Sequence, residues 1–125
     1  MRIPSVLLAY TIACGSPHAA PSSAAHVPDA VTTNPESYRV VLENERVRVL
    51  DYTDRPGHKT AMHHHPDFLL HALGPFERRL WFPDGTSRVV SFRGGETVFM
   101  KAQTHAGENI GTTDTHVLIV ELVDR

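Results

Sequence analysis

Cysteine is almost absent: Cys14 is the one thiol among 125 residues, so no disulfide can staple the chain and packing alone must hold it. Long apolar runs are missing too. The longest, Val6 to Ala13 (VLLAYTIA), falls far short of the ~20 residues that span a bilayer, which excludes an ordinary transmembrane helix. Neither sign of charge dominates, with twelve basic against fourteen acidic residues and a formal charge of −2. Without a basic stripe to neutralise phosphates, nucleic acid is excluded as a partner. No window of a dozen residues carries an apolar stripe at helical period, and no Ser-His-Asp constellation is evident. What the chain does have is 41 % hydrophobic residues, enough for a core, and nine histidines. Imidazole is the commonest metal-ligating side chain, so the spacing of those histidines decides what they are for.

The first residues read as a targeting segment. Met1-Arg2 supplies one positive charge, the short apolar run follows, and Ser23-Ala24-Ala25 offers small residues for cleavage after Ala25. Residues 1–25 are therefore expected to be a leader and the mature protein to be exported, periplasmic or secreted. Cys14, followed by Gly15-Ser16, resembles a bacterial lipoprotein processing site, so a lipid anchor at Cys14 is the alternative. Residues 26–37 are expected to be a linker, ending a tract rich in Ala, Pro, Ser and Thr that cannot bury enough surface to offset its ordering entropy. His18 and His26 lie in that tract and read as solvated.

From Tyr38 to Arg125 the pattern is that of one β domain. Arg46-Val47-Arg48-Val49 alternates polar and apolar, the sign of a half-buried strand. Further strand-like runs cover 78–82, 87–92, 96–102 and 116–123, separated by turn residues such as Gly74-Pro75, Asp84-Gly85 and Gly94-Gly95. Asp84-Gly85 between two such runs is a strong hairpin signal. About eight short strands at regular spacing imply an all-β sandwich or barrel.

The chemistry gathers in Met62-His63-His64-His65-Pro66. Residues two apart in a strand share a face, about 6.6–7 Å apart, so His63 and His65 can converge on one ion while His64 points away. Two imidazoles hold an ion poorly, and His105, forty residues on at the end of a later strand, is the candidate third. His71 is a further candidate, sharing strand parity with Leu69. Trp81, Phe82, Phe92, Phe99 and Met100 are candidate barrel walls, with ordinary core packing as the default. Arg78 and Arg79, being adjacent, face opposite ways, so one of them can face the cavity.

At these residues the chain resembles the cupin superfamily. Gly57, five residues and then His63-x-His65 match the first cupin motif, and Gly95, then His105, three residues and Asn109 match the second with one spacer residue fewer. More closely, it is similar to short single-domain bacterial cupins of the RmlC-like type. The shared blocks are Glu43 to Val49, His63 to Asp67, a Pro-Asp-Gly hairpin, Glu108 to Gly111 and Val120-Glu121-Leu122. The resemblance implies a jelly-roll barrel with an internal ligand pocket and a divalent ion, Fe, Mn, Ni, Zn or Cu, on His63, His65 and His105. Two departures stand out. The glutamate of the first motif falls at Leu69 or Leu70, and Lys101-Ala102-Gln103 replaces the Pro-x-Gly turn before the third histidine. Three functional expectations follow: a metal-dependent dioxygenase or isomerase acting on a small carbonyl or hydroxylated substrate, a non-catalytic periplasmic module that binds a metal or ligand, and, last in rank, a metal-free structural barrel whose histidines merely fill space. Barrels of this kind also pair through edge strands, so a homodimer is compatible with the sequence.

Overall fold

The computed structural model describes residues 26–124, so the proposed leader and Cys14 lie outside the described residues. Nine strands follow one short helix, α1 (Ala30–Thr33): β1 (Tyr38–Glu43), β2 (Val47–Asp54), β3 (His63–His65), β4 (Phe68–Ala72), β5 (Phe76–Trp81), β6 (Ser87–Phe92), β7 (Thr97–Met100), β8 (Gln103–Asn109) and β9 (Thr115–Leu122). They form two antiparallel sheets, ordered β1-β2-β9-β4-β7 and β3-β8-β5-β6, which is the all-β jelly-roll expected. Among the described residues no helix is long and apolar enough to cross a membrane.

Strand parity builds the core. Along β9, Thr115, Val117, Ile119 and Glu121 are buried while the residues between them face outward. Leu50 and Tyr52 of β2, Phe68 and Ala72 of β4 and Phe76 of β5 meet Val117 and Ile119 in one apolar cluster. Fully burying side chains of this size is worth roughly 1.5–3 kcal/mol each, and no covalent staple supplements it. The expected hairpin joins β5 to β6. Gly85 adopts φ 85°, a conformation side chains disfavour, and the Asp84 carboxylate accepts from the Thr86 amide at 3.0 Å.

Two expectations about element limits change. The stretch 103–109, whose His105 looked like the end of a strand, is a strand of its own with His105 near its start. Its Thr-His-Ala-Gly-Glu composition hides it, because cross-strand bonds to β3 and β5 hold it rather than apolar alternation. The tract expected as linker also carries structure near its end. Asp29 caps α1 by accepting from the Thr32 amide at 2.9 Å, and Ala30, Asn34 and Ser37 are buried. The His64 amide donates to Pro28 O at 3.0 Å, laying this segment along β3.

On the outer face of the larger sheet, Leu42, Val49, Val120, Leu69 and Phe99 stand opposite one another across all five strands. Leu42, Leu69 and Phe99 are exposed. Phe99, a candidate wall residue, is thus on the outside, 52 % exposed, whereas Phe92 and Met100 do line the interior.

Candidate metal centre

Parity turns His63 and His65 of β3 inward, each 1 % exposed, and turns His64 outward to Thr104 Oγ1 at 2.9 Å. β8 runs antiparallel beside β3 with His105 directly opposite His63. The three ring centroids lie 4.8, 4.9 and 5.3 Å apart, and one ring nitrogen from each histidine lies within 4.8 Å of the other two. The spacing that the sequence left to a remote strand is therefore supplied by strand register.

Hydrogen bonding decides which nitrogen each ring presents. His65 Nδ1 lies 2.8 Å from Glu121 Oε1, His105 Nδ1 lies 2.9 Å from Gln103 Oε1, and His63 Nδ1 lies 2.7 Å from the Ala61 carbonyl. Each of these three neighbours is an oxygen acceptor closer than any donor (Asn34 Nδ2 lies 3.3 Å from His63 Nδ1), so each Nδ1 donates and each Nε2 keeps its lone pair, which at His63 accepts from the Tyr38 hydroxyl at 3.2 Å. Gln103 is oriented for this role because its amide nitrogen donates to Lys101 O at 3.1 Å. A metal-ligating histidine usually has its other ring nitrogen held in this way.

Electrostatics favours the same neutral form. Burial, reinforced by the charges of His65 and Arg78, lowers the His63 pKa to about 4. Burial, with His65, His63 and Arg78 adding to it, lowers that of His105 to about 2. Because both folded values lie below the unfolded one, the stability they carry is complete above about pH 6.5 and is lost as pH falls. We expect metal-free protein to lose about 3 kcal/mol per imidazole by pH 4. Urea unfolding at pH 7, 5.5 and 4 checks this, and a flat profile would contradict it.

His71, the further ligand candidate, does not join the cluster. It lies on the outward parity of β4 with Leu69, where its Nδ1 pairs with Thr97 Oγ1 at 2.7 Å. Leu70 faces the cavity instead, so an apolar wall stands where the resemblance implies a carboxylate. The cavity measures about 50 Å³ and is lined by the triad with Tyr38, Tyr52 and Arg78. That is room for a few waters, or for the reacting end of a small molecule.

Of the two adjacent arginines, Arg78 is the one inside. Its Nη1 donates to Asp54 Oδ2, and its guanidinium lies over the Tyr52 ring at 5.1 Å. Asp54 also accepts from Tyr52 Oη and, at 3.1 Å, from Asn109 Nδ2. Burial pushes the Asp54 carboxyl up, but the Tyr52 hydrogen bond and the Arg78 charge outweigh it and hold it below its ordinary value. Gly107 is required beside this network, since a Cβ there would stand 2.8 Å from Arg78 Nη2. Sequence reading missed Asp54, Glu121 and Tyr38. A signal was present for the two acids: each sits on the buried phase of its strand, Asp54 with Leu50 and Tyr52, Glu121 with Val117 and Ile119.

No protein-family model matches the chain, and no curated protein sequence does. Solved structures do. The chain is similar to a cupin domain from Bordetella pertussis Tohama I, at 23 % identity and TM-score 0.63, over 78 % of this chain and 97 % of that one. It is similar to an RmlC-like cupin family protein with a double-stranded β-helix fold from Methanocaldococcus jannaschii, at 15 % identity and TM-score 0.54, over 68 % and 77 % of the two chains. The polyketide cyclase RemF from Streptomyces resistomycificus matches at 20 % identity and TM-score 0.52, over 70 % and 65 %. The chain therefore has the cupin fold, with a buried His63/His65/His105 cluster that suits a divalent metal.

Proposed function

We propose that this protein binds a divalent ion, one of Fe, Mn, Ni, Zn or Cu, through His63, His65 and His105. We further propose that it uses the ion as a dioxygenase or isomerase on a small carbonyl or hydroxylated substrate. The observation that carries the reading is the set of three Nδ1 bonds to Ala61, Glu121 and Gln103, which leaves Nε2 of each ring as the nitrogen for an ion, that of His63 now taken by the Tyr38 hydroxyl at 3.2 Å. The residues fit such an ion, since three buried neutral imidazoles are soft enough for all five metals and too few to close the coordination sphere. When bound, the ion supplies a Lewis-acid centre that stabilises an anionic oxygen such as an enolate or carboxylate. The chain's own part is to hold and seal. Glu121 and Gln103 fix ring orientation, Leu70 and Phe68 exclude water, and the cavity's size restricts entry to a small group.

Elemental analysis of protein purified without a histidine tag should find close to one ion per chain. Oxygen uptake across enols, diketones and flavonols tests catalysis. A metal-loaded protein inert on that panel and equally inert as an isomerase would favour the binding-module alternative. Glu121→Gln keeps the acceptor oxygen and removes its charge, so we expect metal affinity roughly 10–100-fold weaker, read by chelator competition. The leader reading places the mature protein outside the cytoplasm, and mass spectrometry of its N-terminus distinguishes a start at His26 from a lipidated Cys14. The exposed row from Leu42 to Phe99 supports a homodimer, which sedimentation of tag-free protein would detect.

A further inference from the structure

The outer face of the five-stranded sheet is apolar beyond the row from Leu42 to Phe99. On β9, Leu118 and Leu122 share the outward phase of Val120, and Val47 of β2 pairs with Leu122. Leu42, Leu122 and Phe99 are 49, 41 and 52 % exposed. Neighbouring outward positions lie about 6.8 Å apart along a strand and about 4.8 Å apart across strands, so eight apolar ones make a continuous patch of roughly 260 Å² in projection. That is near the limit a soluble monomer leaves open to water. The described segment before β1 does not cover it, since it lies along β3 in the other sheet.

The patch is symmetric about its middle strand. β9 is third of the five, with Val49 and then Leu42 toward one edge and Leu69 and then Phe99 toward the other. A two-fold axis parallel to β9, between two facing sheets, lays Val120 on Val120 of a second copy. The same axis lays Val49 on that copy's Leu69 and Leu42 on its Phe99.

The next outward row gives an independent check. It runs Arg39, Asp51, Leu118, His71 and Thr97 across the same five strands. The axis sets Leu118 on Leu118, the Asp51 carboxylate against the His71 imidazole and Arg39 against Thr97. No like charges meet in either row. A two-fold contact requires this self-complementarity, because one patch must serve as both sides. Three outward positions on five strands cover roughly 500 Å² per copy, or about 1,000 Å² together, the size at which a specific interface begins. Aligned sheets pack in this manner about 10 Å apart with strands within about 30°.

We propose that two copies of this chain pair face to face through the outer surface of the five-stranded sheet, around a two-fold axis along β9. The contact is between faces, and no strand ladder runs from one copy to the other. The proposal rests on the homodimer reading, to which it adds the surface and the axis, and it is independent of any metal.

The test compares tag-free wild type, Leu69→Glu, and Leu122→Cys and Val89→Cys in a Cys14→Ser chain, where no other thiol reacts. Sedimentation equilibrium should find wild type dimeric. Leu69→Glu buries an unpaired carboxylate against Val49 of the second copy, so its dissociation constant should rise at least about 100-fold while melting stays cooperative. Leu122 lies on the axis, so Leu122→Cys should be joined to its counterpart by a short bis-maleimide. Val89, 45 % exposed on the smaller sheet, is the control, and Val89→Cys should not be joined. A dimer that survives Leu69→Glu, or in which Leu122→Cys is not joined, overturns the face and axis while the homodimer reading stands. If Leu69→Glu does not fold, the Leu122→Cys result decides. Wild type that sediments as a monomer overturns both, including the case in which residues 1–25 cover the sheet.

Discussion

His63→Ala and His105→Ala will each abolish stoichiometric metal uptake, whereas His64→Ala will leave it intact. The three residues lie within one local cluster, so a trivial tag-like affinity for metal would respond to all of them alike. The geometry says otherwise. His63 and His105 face each other across the β3–β8 ladder and present Nε2 to the same space. His64, between the two inward residues of β3, is exposed on the opposite face with Thr104 as its partner. Removing one of three neutral ligands leaves two, a set that holds a first-row ion poorly in competition with water. Elemental analysis after dialysis against a weak chelator reads the outcome. Uptake unchanged in all three variants would refute the site. His63→Ala and His105→Ala each remove a buried imidazole whose protonation opposes folding, so their metal-free melting should stay cooperative.

The second large effect lies beside the metal centre. Asp54→Ala should destabilise the protein by about 3–5 kcal/mol, the usual cost of leaving a buried charge without its counterion. Asp54 and Arg78 are both almost wholly buried, and the same carboxylate is the acceptor for Tyr52 and Asn109. One deletion therefore strands a guanidinium and a phenol together and takes one of two acceptors from the Asn109 amide, which keeps the Thr113 carbonyl at 2.9 Å. Native domains carry only about 5–15 kcal/mol in all, so thermal unfolding should shift by roughly 15–30 °C. The paired substitution Asp54→Leu with Arg78→Met removes both charges and should recover most of the loss. A double variant as unstable as the single one would show that hydrogen bonding to Asp54, rather than charge pairing, is what matters.

Much of this was legible in the sequence. The inward pair His63/His65 follows from parity alone, because a three-residue strand of histidines can present only its first and third to one side. The β5–β6 hairpin follows from Asp84-Gly85, whose conformation few other residue pairs tolerate. Register between distant strands was not legible. That His105 stands opposite His63 depends on β8 pairing with β3, and β8 has no apolar alternation to announce it. The inward charges were hidden for a related reason. Arg78, Asp54 and Glu121 look like solvent-facing residues until their partners, between 24 and 56 positions away in sequence, are brought together. His71 misled because parity was counted from Leu69, and it is Leu70 that faces inward.

The short segment from Pro28 to Ser37 has a practical bearing on where this protein can be cut. Asn34 Oδ1 accepts from the Ala61 amide at 2.9 Å, and its amide group donates to the Ala61 carbonyl at 3.4 Å, the same carbonyl that holds His63. Asp29 reaches Arg48 at 3.6 Å, and Arg48 in turn lies 3.9 Å from Glu121, the partner of His65. Two of the three histidines are thus steadied from outside the nine strands. A recombinant boundary drawn at Tyr38, where the strands begin, would keep the barrel's strands and discard those supports. One drawn at His26, where the leader reading ends, keeps both.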